Sequence, residues 1–116
     1  MLDAEVDILQ SGGKTDFNYG NVQEFAFEPV KADRVIRDSD TVRLGDAMLT
    51  AIHTPGHTRG ATTWTTNITE GGTIYEVVFP DHTGINPGYR VAKDPSYPGI
   101  GDDYRQNVPH SRNAQA

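Results

Sequence analysis

Apolar and polar positions alternate most clearly in two stretches. "TVRLGDAMLTAIHT" (Thr41 to Thr54) reads as two strands around a Gly45-Asp46 turn. "ATTWTT" and "TIYEVVFP" read as a second strand pair, with "NITEGG" supplying the turn residues. β-branched and aromatic side chains suit a pleated, half-buried surface, and Gly pairs suit the tight turns of hairpins. Leu2 to Gln10 alternates weakly and is expected to form a short strand. "SGGKTDFNYGN" is rich in turn formers and reads as a loop. In "FAFEPVKADRVIRDSD" a proline interrupts any helix, and a short "RVI" strand and a polar turn at Asp38 to Asp40 follow. After Phe79 the chain reads as irregular, with prolines at 80, 87, 95 and 98. "QNVPHSRNAQA" has no apolar period and reads as disordered. The expectation is a β-rich chain with long loops and very little helix, with little to cover the apolar faces of its sheet.

Composition narrows the partners. The 116 residues suffice for one domain, and 35% hydrophobic content is low for a packed one. Ten basic against sixteen acidic residues give a net charge of −6, without a Lys/Arg cluster. That balance argues against nucleic acid and against an anionic membrane surface as partners. With no cysteine there is neither a disulfide framework nor a thiolate metal site. No window reaches membrane-spanning length without polar residues. Asp3 and Glu5 follow Met1 at once, unlike a signal peptide. Expressed as written, the chain is expected in the cytoplasm.

Two places carry candidate chemistry. Thr54-Pro55-Gly56 stiffens and then turns the chain just after a strand, presenting His57 at the strand's end, where sites on sheet scaffolds lie. The spacing fits a metal ligand, but by itself it fits an ordinary surface turn with a histidine better. Asp81-His82 follows the apolar "VVFP"; a carboxylate and an imidazole are both zinc ligands, and an Asp there also forms turns. His53 reads as a hydrogen-bonded structural histidine and His110 as solvated. The "NIT" triplet at Asn67 fits a glycosylation sequon, a pattern frequent by chance. There is no Gly-rich phosphate loop and no nucleophile elbow, and no catalytic side chain is assigned.

"TPGHTRGATTWTT", with its upstream "VKADRVIRDSDTVRLGDAMLTAIH", resembles the metallo-β-lactamase superfamily, and more narrowly the third subclass of class B β-lactamases. The resemblance continues through "SGGKTDFNYG", "VVFPDHTGINPGYR" and "YPGIGDDYR", from Met1 to about Arg105. It implies an α+β fold, the αββα sandwich with two Zn²⁺ at one edge of its sheets, of which residues 1–105 form a partial domain. Residues 106–116 are then an irregular tail, read as out of frame. The resemblance makes His57 the third histidine of the first zinc site. It makes Asp81 a bridging ligand and His82 an added ligand or a substrate contact, and sets the loop from Thr83 to Tyr89 against the substrate carboxylate. The family's His-x-His-x-Asp-His motif and its C-terminal histidine do not occur in these residues.

The activity so implied is zinc-dependent hydrolysis of the β-lactam amide, with the 116-residue chain inactive by itself and associating through exposed strands. The intact family member is expected to be periplasmic or secreted, its gene extending upstream of Met1. The alternatives are a piece of a lactone or thioester hydrolase, and a non-catalytic chain, either a decayed gene product or an assembly partner that borrows its missing half from another polypeptide.

Overall fold

The computed structural model describes residues 1–82 and 84–115, with side chains described through Asn107. Its centre is a four-stranded antiparallel sheet in the order β1-β2-β3-β4. The strands are β1 (Thr41–Leu44), β2 (Ala47–His53), β3 (Thr62–Glu70) and β4 (Thr73–Phe79). Both hairpins form as the alternation predicts. Gly45 turns the first with φ 59°, and Gly71 and Gly72 turn the second with φ 57° and 80°. Positive φ at the centre of a two-residue loop matches the right-handed twist of the strands, and glycine adopts it without a Cβ penalty. "NITE" belongs to β3 rather than to the turn. Asn67 pairs with Glu76, Ile68 with Tyr75 and Thr69 with Ile74, so ladder bonding extends the strand to the glycines.

The pairing Ala51 with Trp64, and Trp64 with Phe79, places these residues on one face of the sheet. That face packs on the core of Leu2, Ile36 and Ala51, with Trp64 against it. Leu2 and Ile36 meet in a single parallel bridge, held by Asp3 N–H to Ile36 O at 2.8 Å and Ile36 N–H to Met1 O at 2.9 Å. The "RVI" segment therefore contributes one bridge and not a strand. The expected strand over Leu2 to Gln10 is instead a 3₁₀ turn (Asp3–Glu5) running into α1 (Val6–Ser11). Leu2, Val6 and Leu9 stand at helical spacing, acidic Asp3, Glu5 and Asp7 sit toward its N-terminal end, and Gly12 stops it at φ 67°.

The chain from Tyr97 onward also departs from the irregular reading. Helix α2 spans Ile100–Gln115, with Asp102 and Asp103 in its first turn. Ile100 (0% exposed), Tyr104 and Asn107 (2%) recur every three to four residues and turn one side of the helix toward the fold. The prolines and glycines immediately before it hid that period. Far from the core, the sheet is bare: Leu44 is 86% exposed and Ile74 70%. None of the described helices is long and apolar enough to cross a membrane.

Candidate metal site

His57 stands in the connection between β2 and β3. Thr54 and Pro55 are fully buried, and Thr54 N–H closes the loop on Ala61 O at 2.9 Å. Gly56 has φ 136°, a region open to glycine, and a Cβ there would lie 2.9 Å from the Tyr104 ring. Gly60 N–H donates to Glu5 Oε1 at 2.6 Å, tying the far side of the loop to the N-terminal turn. The turn is thus gripped from three sides, and His57 leaves it half-buried.

The His57 ring lies within hydrogen-bond distance of Gly84 O through Nδ1, at 3.0 Å. A carbonyl oxygen only accepts, so Nδ1 carries the proton and, in the neutral ring, Nε2 keeps its lone pair. That is the state in which an imidazole binds a metal, with its other N–H oriented by a backbone acceptor. His82 meets His57 edge to face, ring centres 4.7 Å apart. On the other side Tyr89 donates its hydroxyl to His57 O at 2.8 Å, and its ring lies 6.0 Å from that of His57. Burial, reinforced by the negative charge of Asp16, pushes the Tyr89 phenol up to about 12. Tyr89 is therefore a hydroxyl donor across the neutral range.

Asp81 lies at the same end of the sheet. Its N–H donates to Thr63 Oγ1 at 3.3 Å, and Thr63 Oγ1 is 3.1 Å from Thr54 Oγ1. Because Thr54 Oγ1 gives its one proton to Ala61 O, 3.5 Å away, Thr63 donates to Thr54, and the chain of donors runs from Asp81 N–H through the Thr63 and Thr54 hydroxyls to Ala61 O. Asp81 Oδ2 is buried and has no hydrogen-bond partner among the described residues. A buried carboxylate oxygen in that state calls for a hydrogen-bond donor or a cation. Burial, and secondarily the Asp81 charge, raise the Tyr104 phenol above its ordinary value.

Zinc would find suitable donors here, but too few. Two imidazoles come together, whereas a zinc site takes three or four protein ligands. Among the described residues no three His, Asp or Glu side chains gather around a point that would hold a metal ion. So the expected set His57, Asp81 and His82 is brought to one end of the sheet without closing into a triad. Thr83 lies outside the described residues, as does the side chain of His110. His53 is structural as read, its Nε2 2.6 Å from Arg59 O and its N–H on Asp38 Oδ1 at 2.8 Å. The residues missed from sequence are Gly84, which acts through its backbone and has no side-chain signal, and Tyr104, whose signal was the helical spacing with Ile100.

No family model matches the chain. A 39-residue stretch, 34% of the chain, is 41% identical to acyl-coenzyme A thioesterase MBLAC2 of Gallus gallus and 38% identical to that of Homo sapiens, covering 14% of each. Solved structures match far more of it. The native FEZ-1 metallo-β-lactamase from Legionella gormanii superposes on 93% of the chain with a TM-score of 0.90 and 41% identity. Over nearly its whole length the chain has the metallo-β-lactamase fold and is similar in sequence to that superfamily. Two further metallo-β-lactamases extend the likeness: class B3 di-zinc LRA-12 from an Alaskan soil metagenome (TM-score 0.84, 30% identity, 96% of the chain), and subclass B3 BJP-1 of Bradyrhizobium japonicum (0.81, 33%, 93%). The chain spans about two fifths of these solved metallo-β-lactamases, between 40% and 42% of each.

Proposed function

We propose that this chain is the portion of a zinc-dependent hydrolase that supplies His57 to the metal, and that the substrate class is the β-lactam amide. The observation that carries the reading is the His57–Gly84 hydrogen bond, which leaves Nε2 ready to ligate. His82, and Asp81 with its unpartnered buried oxygen, are the adjoining donors. Bound zinc supplies a nucleophile from water at neutral pH and polarises the scissile carbonyl. This chain's part is to orient the His57 ring and keep its tautomer, with Tyr89 holding the turn from the substrate side. Residues 1–105 are, on this proposal, a partial domain, and the ligands still required come from outside these 116 residues. The likeness to B3 enzymes over nearly the whole chain favours the lactam; the 39-residue match to an acyl-coenzyme A thioesterase supports a thioester as the second reading. A periplasmic or secreted location for the whole protein, and association of the free chain through its bare sheet, go with the first reading.

The test is to purify the chain, titrate Zn²⁺ by calorimetry, and assay a chromogenic cephalosporin alongside a short acyl-coenzyme A. Binding weaker than about micromolar (roughly −8 kcal/mol), reduced further by His57→Ala, with background turnover of both substrates, is the expected outcome. Tighter binding with cephalosporin turnover that His57→Ala abolishes would show a self-sufficient enzyme and sink the partial-site reading. Turnover of the acyl-coenzyme A alone would move the substrate class to thioesters.

A further inference from the structure

The geometry points to helix α2 as the clamp that sets the His57 tautomer, with Tyr104 as the positioning residue. The inference deepens the metal-ligand reading of His57 and takes its functional meaning from it. Three contacts converge. The Tyr104 hydroxyl donates to Gly84 O at 2.7 Å, the same oxygen that receives His57 Nδ1–H at 3.0 Å. The Tyr104 ring lies against Gly56, so close that a Cβ there would be 2.9 Å from two ring carbons. One helical turn later, buried Asn107 donates Nδ2–H to Thr54 O at 3.1 Å. One side of α2 thus touches the Thr54-Pro55-Gly56-His57 turn and, independently, the carbonyl on which His57 depends.

A carbonyl oxygen has two lone pairs, so Tyr104 and His57 do not compete for it. What Tyr104 contributes is fixation. Gly84 lies outside every strand and helix and has no side chain to pack. Without the phenol, the bond from His57 would be the one left on its carbonyl among the described residues, and a ring cannot be oriented by a group that it must itself orient. Loss of the phenol frees Gly84 O to turn toward water, and His57 then redistributes toward the Nε2–H tautomer that a free imidazole prefers in water. That tautomer masks the nitrogen needed for the metal.

The experiment is ¹⁵N NMR of the metal-free full chain, reading the two ring nitrogens of His57 at a pH where the ring is neutral. The unmutated chain is expected to hold the Nδ1–H form. In Tyr104→Phe, which keeps the ring on Gly56, the Nε2–H to Nδ1–H ratio is expected to rise about five-fold, the consequence of losing one hydrogen bond, while amide dispersion is kept. An unchanged tautomer in a folded Tyr104→Phe chain overturns the clamp. If that variant does not fold, the unmutated chain still decides: a Gly84 carbonyl ¹³C resonance downfield of the other loop glycines supports two donors on that oxygen, and one among them overturns it. A locked tautomer in a chain whose zinc affinity ignores His57→Ala supports the clamp and counts against the metal-ligand reading alone.

Discussion

The two ends of the sheet are built differently. At one end lie both hairpin turns, Gly45-Asp46 and Gly71-Gly72, where an added Cβ on any of the three glycines meets nothing within 4 Å. Leu44, Ile74 and Tyr75 stand exposed beside them. At the other end, bonds from His57, Gly60, Tyr104 and Asn107 reach 20 to 55 residues along the chain. The hairpin end needs only its neighbours in sequence. The site end exists only when the N-terminal turn, the loop after β4 and helix α2 all arrive. The candidate metal donors belong to the end that costs more conformational entropy to assemble, so each region answers differently to a like change.

The largest contrast is expected in the packing. Ile36→Ala removes a side chain that is 2% exposed and should destabilise the chain by about 2 to 4 kcal/mol. Ile74→Ala, at 70% exposure, should stay within about 0.5 kcal/mol. Urea unfolding followed by Trp64 fluorescence measures both, and equal losses would mean that the hairpin end is covered in solution. Next comes the backbone. Gly56→Ala combines a φ of 136° with contact against Tyr104 and should cost about 2 kcal/mol or more. Gly45→Ala meets only the strain of its φ of 59°, about 1 kcal/mol. A smaller loss at Gly56 than at Gly45 would show that the helix does not press on the turn.

The smallest effect is a pH slope confined to the site end. Burial, with a hydrogen bond to Asp103 and its negative charge, raises the Tyr97 phenol well above its ordinary value of 10. The folded chain therefore keeps this proton at pH values where the unfolded chain releases it. The associated stability is complete below about pH 10 and drains away as the pH rises beyond it. Denaturation between pH 8 and 11 should show a fall in midpoint that Tyr97→Phe makes shallower, the raised Tyr89 and Tyr104 phenols supplying the remainder. An unflattened curve would assign the alkaline loss to other groups.

The alternation around Gly45-Asp46 and before Gly71-Gly72 was legible residue by residue, because a two-residue period and a turn that only glycine favours are local properties. So was the "TPGHTRG" word, since a buried turn that delivers His57 must be written in neighbouring residues. Helix α1 was missed because three apolar positions at helical spacing also pass for weak alternation. Helix α2 was missed because prolines before it, and one within it, outweighed the Ile100, Tyr104, Asn107 period. The state of the site was decided by tertiary structure alone. Which His57 nitrogen carries the proton depends on a backbone oxygen 27 residues away, and no side chain at position 84 advertises it. Whether His57, His82 and Asp81 gather around one metal is likewise a matter of where three loops end in space. Sequence names the donors; the distances between them are set by everything that folds around them.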